Sequence, residues 1–121
     1  MRIYWLRCYG LPYGGHSVSV FNRTTAKAEK WSKEFSGNYG KTPAEAVKNA
    51  DFVMVCVGND DDVRSVFYGD DGLLSKLKPG AVVIDHTTAS AELARELELV
   101  VKEKEGSFLD APVSGGQAGA E

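Results

Sequence analysis

Residues 52–57 (FVMVCV) are apolar without interruption, and residues 81–84 (AVVI) repeat the pattern one amphipathic interval later. A short unbroken apolar run, bounded by glycine and acidic residues, is the pattern of a strand buried on both faces of a parallel sheet. Parallel neighbours must be joined by a crossover of about a dozen residues or more, usually helical. The interval supplies one: a short helix over 63–67, then a helical turn carrying Leu73, Leu74 and Leu77 that stops at Pro79 and Gly80. The same alternation extends both ways. Upstream, 17–21 (SVSVF) reads as a strand, and Thr24 or Thr25 caps a helix with Ala28, Trp31 and Phe35 on one face. Gly37 and Gly40 close that segment, and Thr42 followed by Pro43 starts a helix over 44–50. Downstream, Thr88 or Ser90 caps a longer helix bearing Leu93, Leu97, Val100 and Val101, and 107–109 forms a last strand. Strand alternating with helix predicts right-handed βαβ units around a parallel sheet.

Composition narrows what such a domain does. At 121 residues the chain suits one domain. A formal charge of -3 argues against a nucleic-acid surface. The longest apolar run is six residues, too short to span a membrane, and no segment has a signal-peptide layout. Cys8 and Cys56 form neither metal spacing nor a disulfide framework, so a cytoplasmic setting is expected.

In parallel sheets ligands sit beyond the carboxyl ends of the strands, which singles out four loops. After 17–21 come Asn22, Arg23 and Thr24. Dinucleotide folds using NAD commonly place a carboxylate there for the ribose 2'-hydroxyl, and a carboxylate would repel a 2'-phosphate. A neutral Asn22 followed by a guanidinium that grips phosphate bidentately favours NADP, with NAD as the alternative; the other reading is a solvated turn. After 52–57, Gly58 and Asn59 let backbone approach a ligand closely. Asp60, Asp61 and Asp62 read as a helix N-terminus complementing its dipole, or as a metal site, and no metal is expected. After 81–84 stand Asp85, His86, Thr87 and Thr88; His86 has no converging serine or acid and reads as structural. After 107–109, residues 110–116 (DAPVSGG) make either an anion-binding turn for a substrate carboxylate or a linker.

Taken together, NRT at 22–24, GND at 58–60, DHTTAS at 85–90 and FLDAPVSGG at 108–116 resemble the β-hydroxyacid dehydrogenase family over residues 16–121. That family includes the 3-hydroxyisobutyrate dehydrogenases and is related to 6-phosphogluconate dehydrogenase and the imine reductases. The resemblance implies a Rossmann-type, doubly wound α/β parallel sheet that binds NADP. It implies hydride transfer between the cofactor and a small 3-hydroxyacid or its semialdehyde. Asn22, Arg23 and Thr24 would face the adenosine end. Val57 and Gly58, where the family has Leu-Pro, would lie beside the cofactor with Asn59 and Val63, and Thr88 would border the nicotinamide. Ser114, Gly115 and Gly116 would hold the substrate carboxylate. The family's catalytic lysine lies beyond the SGG loop, in a helical C-terminal domain through which its members oligomerise, so no catalytic residue is expected within residues 1–121. The alternatives are a non-catalytic nucleotide-binding module, or part of an imine reductase or 6-phosphogluconate-type dehydrogenase.

Residues 1–15 (MRIYWLRCYGLPYGG) break the pattern. The family opens with a strand, a GxGxxG turn that cradles pyrophosphate, and a helix. None is legible here, and only a short stretch separates Tyr9 from His16. One choice of codons for residues 2–15, shifted by one base, reads GFIGLGVMGYPMA and restores the fingerprint. The expectation is therefore an aberrant segment over 1–15, by frame slip or natural divergence, followed by a partial nucleotide-binding domain over 16–121. In the strand order 3-2-1-4-5-6 the first strand is central, so its loss predicts weak folding. Residues 3–9 could fill the gap by pairing antiparallel with 17–21.

Overall fold

The apolar runs become strands at nearly the expected places. The computed structural model describes residues 2–3 and 15–114. In chain order the elements are β1 (Arg2–Ile3), β2 (Ser19–Val20), α1 (Thr25–Phe35), β3 (Asn38–Tyr39) and α2 (Pro43–Val47). There follow β4 (Phe52–Val55), α3 (Asp60–Phe67), a 3₁₀ turn (Leu73–Ser75), β5 (Val82–Asp85), α4 (Ala91–Glu103) and β6 (Ser107–Asp110). Among the described residues every ladder is parallel: β1 with β4, β4 with β5 and β5 with β6 in a four-stranded sheet, and β2 with β3 in a two-stranded one. β1 also lies against β2, so the strands run β3-β2-β1-β4-β5-β6 in space, the doubly wound order.

The central place is thus filled, and filled differently from the antiparallel expectation. Arg2 and Ile3 pair parallel with Met54 and Val55. The described part of β1 is Arg2–Ile3, so the remainder of the expected pairing over residues 3–9 lies outside the described residues. The fingerprint region itself, residues 4–14, lies outside the described residues.

Caps decide where helices begin. Thr42 accepts from the Glu45 amide at 3.1 Å, Pro43 takes the first helical position, and Glu45 Oε2 accepts from the Lys41 amide at 2.7 Å. Ser90 rather than Thr88 caps α4, accepting from the Leu93 amide at 3.2 Å. Thr24 occupies the cap position of α1 without a side-chain cap bond. Its own amide is instead held by Asn22 Oδ1 at 2.8 Å, in an Asx turn.

The main core lies on one face of the four-stranded sheet. Val53, Val55 and Val83 pack against Val63 and Phe67 of α3, Leu93, Leu97 and Val101 of α4, and Ala46 and Val47 of α2. Full burial of each of these larger side chains contributes about 1.5–3 kcal/mol. A second, smaller cluster joins Val18, Val20 and Ala28, with Trp31 against it. The expectation that 52–57 is buried on both faces is corrected: burial alternates along β4, and Phe52 is 52% exposed. Its face continues in register through Met54, Ile84 and Leu109, and Leu109 is likewise exposed. The helices packed on the sheet in the main core, α2, α3 and α4, all cover the other face. β3 was not legible as a strand: Asn38 and Tyr39 are both exposed, and only backbone pairing with β2 defines it.

Candidate functional site

Parallel strands send all their carboxyl ends to one edge, where the four singled-out loops converge. Those after β4, β5 and β6 are laced together through the backbone. The His86 amide donates to the Val55 carbonyl at 2.7 Å, the Ala111 amide to Asp85 at 2.9 Å, and the Val113 amide to His86 at 3.1 Å. His86 Nδ1 sits 2.8 Å from the Ala111 carbonyl. A carbonyl only accepts, so this nitrogen carries the hydrogen and the ring ties the β5 loop to the β6 loop.

Beneath this lies a buried polar pair. Thr87 and Asp85 are almost sealed from solvent, at 1% and 3% exposure. Thr87 Oγ1 accepts the Val57 amide at 3.0 Å, and Asp85 Oδ1 accepts the Thr87 amide at 2.9 Å. Burial raises the Asp85 carboxyl above its ordinary value, against the opposing hydrogen bonds from Thr87. Neither Thr87 nor Asp85 was a candidate site residue. A signal existed: Val83, Asp85 and Thr87 continue the inward alternation of β5 by steps of two.

At the start of α3, Asn59 Oδ1 accepts the Asp62 amide at 2.9 Å, and the three following acids diverge. Asp60 accepts from both the amide and the hydroxyl of Ser90, joining the starts of α3 and α4, and these bonds hold its carboxyl below the ordinary value. Asp61 approaches Arg64 at 3.8 Å. Asp62 reaches Arg23 Nη1 at 3.3 Å, across to the loop after β2. On the outer side of α3 and α4, Glu96 accepts from Arg64 Nη2 at 3.0 Å and the Tyr68 hydroxyl at 2.6 Å. Desolvation first, and then the Glu96 bond, push the Tyr68 phenol up to about 12.

The sequence candidates fall at distinct depths. Arg23, Thr24, Gly58, Asn59, Thr88 and Ser114 are exposed at the edge, and Asn22 and Val57 are half-buried. Val63 has no exposed surface, and its side chain packs in the core behind the loop. Gly115 and Gly116 lie outside the described residues. At the loop after β2 no carboxylate stands at residue 22, the Asn22 side chain is occupied within its turn, and the exposed Arg23 side chain bridges to Asp62.

Comparison with known proteins agrees with this architecture. The family described as the NAD binding domain of 6-phosphogluconate dehydrogenase matches residues 10–121. An uncharacterized oxidoreductase of Shewanella frigidimarina is 50% identical over 107 residues, covering 88% of this chain and 37% of the relative. The 3-hydroxyisobutyrate dehydrogenase of Mycobacterium tuberculosis, solved with L-serine, superposes with a TM-score of 0.76 at 30% identity, over 92% of this chain and 38% of that one. Psf3, solved with NADP+ and 2-OPP, gives a TM-score of 0.76 at 26% identity, over 88% of this chain and 37% of that one. The chain therefore spans little more than a third of the length of these relatives. With its parallel, doubly wound sheet and the match over nearly its whole length, it belongs to the family of the NAD binding domain of 6-phosphogluconate dehydrogenase.

Proposed function

We propose that this chain supplies the NADP-binding part of an oxidoreductase acting on a small 3-hydroxyacid or its semialdehyde. The observation that carries the reading is the turn after β2: a neutral Asn22 closed on its own backbone, followed by a guanidinium whose side chain is 85% exposed. Asn22, Arg23 and Thr24 would hold the adenosine 2'-phosphate, and Val57, Gly58 and Asn59 would offer backbone beside the cofactor. Thr88 would border the nicotinamide, and Ser114, Gly115 and Gly116 would bind the substrate carboxylate through backbone amides. When bound, the nicotinamide supplies the hydride donor or acceptor. Residues 1–121 provide binding and orientation, and the proton-transferring group lies elsewhere in the complete enzyme. That enzyme is read as a cytosolic homo-oligomer assembled through a further helical domain. Among the described residues, no helix is long and apolar enough to cross a membrane.

The test uses adenosine fragments, which isolate the adenosine end from the pyrophosphate cradle. Adenosine 2',5'-bisphosphate carries the NADP mark and 5'-AMP the NAD mark. A charge-assisted bond to the 2'-phosphate is worth about 1.5–3 kcal/mol, so the bisphosphate should bind roughly tenfold tighter or better in calorimetry. Arg23→Ala should abolish that ratio. Equal affinities in the unsubstituted chain overturn the NADP assignment. The 121-residue chain should show no NADPH turnover with glyoxylate or succinic semialdehyde, and turnover above background would place the proton-transferring group within it.

A further inference from the structure

The Arg23–Asp62 pair joins residues 39 positions apart, from the loops after β2 and β4. It therefore crosses the mouth between the two loops that would embrace an adenosine. Asp62 is well set for this position. Its amide is held by Asn59, and its carbonyl accepts from Ser65 Oγ at 2.7 Å, so the backbone is anchored and only the side chain can swing. Its carboxylate lies directly over Gly58: a Cβ on that glycine would fall 2.6 Å from Asp62 Oδ2. Gly58 thus leaves the space through which the carboxylate reaches Arg23. The guanidinium that would hold a 2'-phosphate already carries an internal anion, and Asp62 is the more enclosed partner, with its side chain 29% exposed against 85% for Arg23.

We infer that Asp62 is a specificity-determining residue, an internal counter-ion that competes with the 2'-phosphate for Arg23 and moderates the preference for NADP over NAD. This rests on the assignment of Arg23 to the 2'-phosphate made above. A phosphate arriving at Arg23 must displace the carboxylate or lie beside it, and either outcome weakens binding of the phosphorylated ligand alone. A ligand with a free 2'-hydroxyl brings no charge to that point and leaves the pair intact. Exposed ion pairs are weak, so the expected change is modest, about two- to fivefold.

The experiment is a double-mutant cycle on the 121-residue chain, read by calorimetric affinities for adenosine 2',5'-bisphosphate and 5'-AMP at low and high salt. Asp62→Asn should tighten the bisphosphate about two- to fivefold, leave 5'-AMP within about 1.5-fold, and show a smaller gain at high salt. In the Arg23→Ala background the same substitution should change nothing beyond a general charge effect seen with both ligands. Asp62→Ser serves as the second variant should asparagine perturb the helix start, with circular dichroism as the check on folding. Loss of the ligand ratio in Arg23→Ala with no effect of either Asp62 variant would overturn the inference while leaving the cofactor assignment standing. An equal gain for both ligands would also overturn it, as a bulk charge effect. Failure of Arg23→Ala to alter the ratio would overturn the assignment, and the inference with it.

Discussion

Replacing Thr87 by valine tests whether the loop after β4 is held by the buried hydroxyl. Valine keeps the shape of threonine, so no cavity opens and the change is confined to the hydroxyl's bonds, to the Val57 amide and to Asp85. The Val57 amide, now 3.0 Å from Thr87 Oγ1, loses its acceptor. Stranding a buried donor costs about 1–3 kcal/mol. Val57 is half-buried and water can partly reach it, so we expect about 1–2 kcal/mol in urea denaturation. The same magnitude appears locally in amide exchange. If the bond limits opening of the loop, Val57 should exchange roughly 5–30 times faster in Thr87→Val, from RT ln of the rate ratio. The His86 amide, bonded to the Val55 carbonyl at 2.7 Å, should be unaffected beyond the global change. Thr87→Ser, which keeps the hydroxyl, should retain protection at Val57 even though loss of a buried methyl lowers overall stability by about 1 kcal/mol. Unchanged Val57 protection in the valine variant, or equal loss in the serine variant, would refute the reasoning.

Two further outcomes follow from the site's surroundings. Burial raises the Asp85 carboxyl, so its ionisation costs stability as pH rises through the folded value, and the cost vanishes below the ordinary 3.8. Asp85→Asn, which keeps the acceptor for the Thr87 amide, should exceed the unsubstituted chain in stability at pH 7. Urea melts should show that advantage shrinking on acidification; a gap that is constant or widens contradicts the account. The glycines separate by what stands in front of them. Gly58→Ala meets only the movable Asp62 carboxylate and should cost under about 1 kcal/mol, whereas Gly72→Ala would put a methyl 2.2 Å from the Tyr68 carbonyl and should cost about 2 kcal/mol or more. Thermal melts showing equal costs would contradict that ordering.

Much of the order of elements was legible because it rests on local periodicity. Residues 52–57 and 81–84 announce β4 and β5, and Thr42-Pro43 announces α2, since a cap and an N1 proline act within one turn. What local pattern could not supply was pairing. Asn38 and Tyr39 carry no burial signal, so β3 exists only through its ladder to β2. The parallel place of Arg2 and Ile3 depends on Met54 and Val55, some fifty residues on, and nothing within residues 1–15 announces it. The candidate site shows the same division. Asn22, Arg23 and Gly58 were visible as types suited to a ligand, and they stand at the edge formed by the carboxyl ends of the strands. Val63 turns its side chain into the core, which helical spacing alone does not say. Thr87, Asp60 and Asp62 were overlooked as connectors because their partners, Val57, Ser90 and Arg23, come from other loops.

The division of the interior into two hydrophobic clusters has a consequence for how the domain breathes. Val18, Val20, Ala28 and Trp31 form a unit of their own, small beside the cluster under β4 and β5. Cooperative opening scales with the apolar contacts that must be broken, so β2, α1 and β3 should detach at lower free energy than the rest. Arg23 rides on that looser unit, whereas Asp62, Thr87 and Thr88 stand on the firmer one. A ligand gripped from both sides would then work as a rivet: it would fasten the weaker plate to the stronger, and most of the added protection against exchange or proteolysis would appear in β2 and α1, away from most of the atoms that touch it.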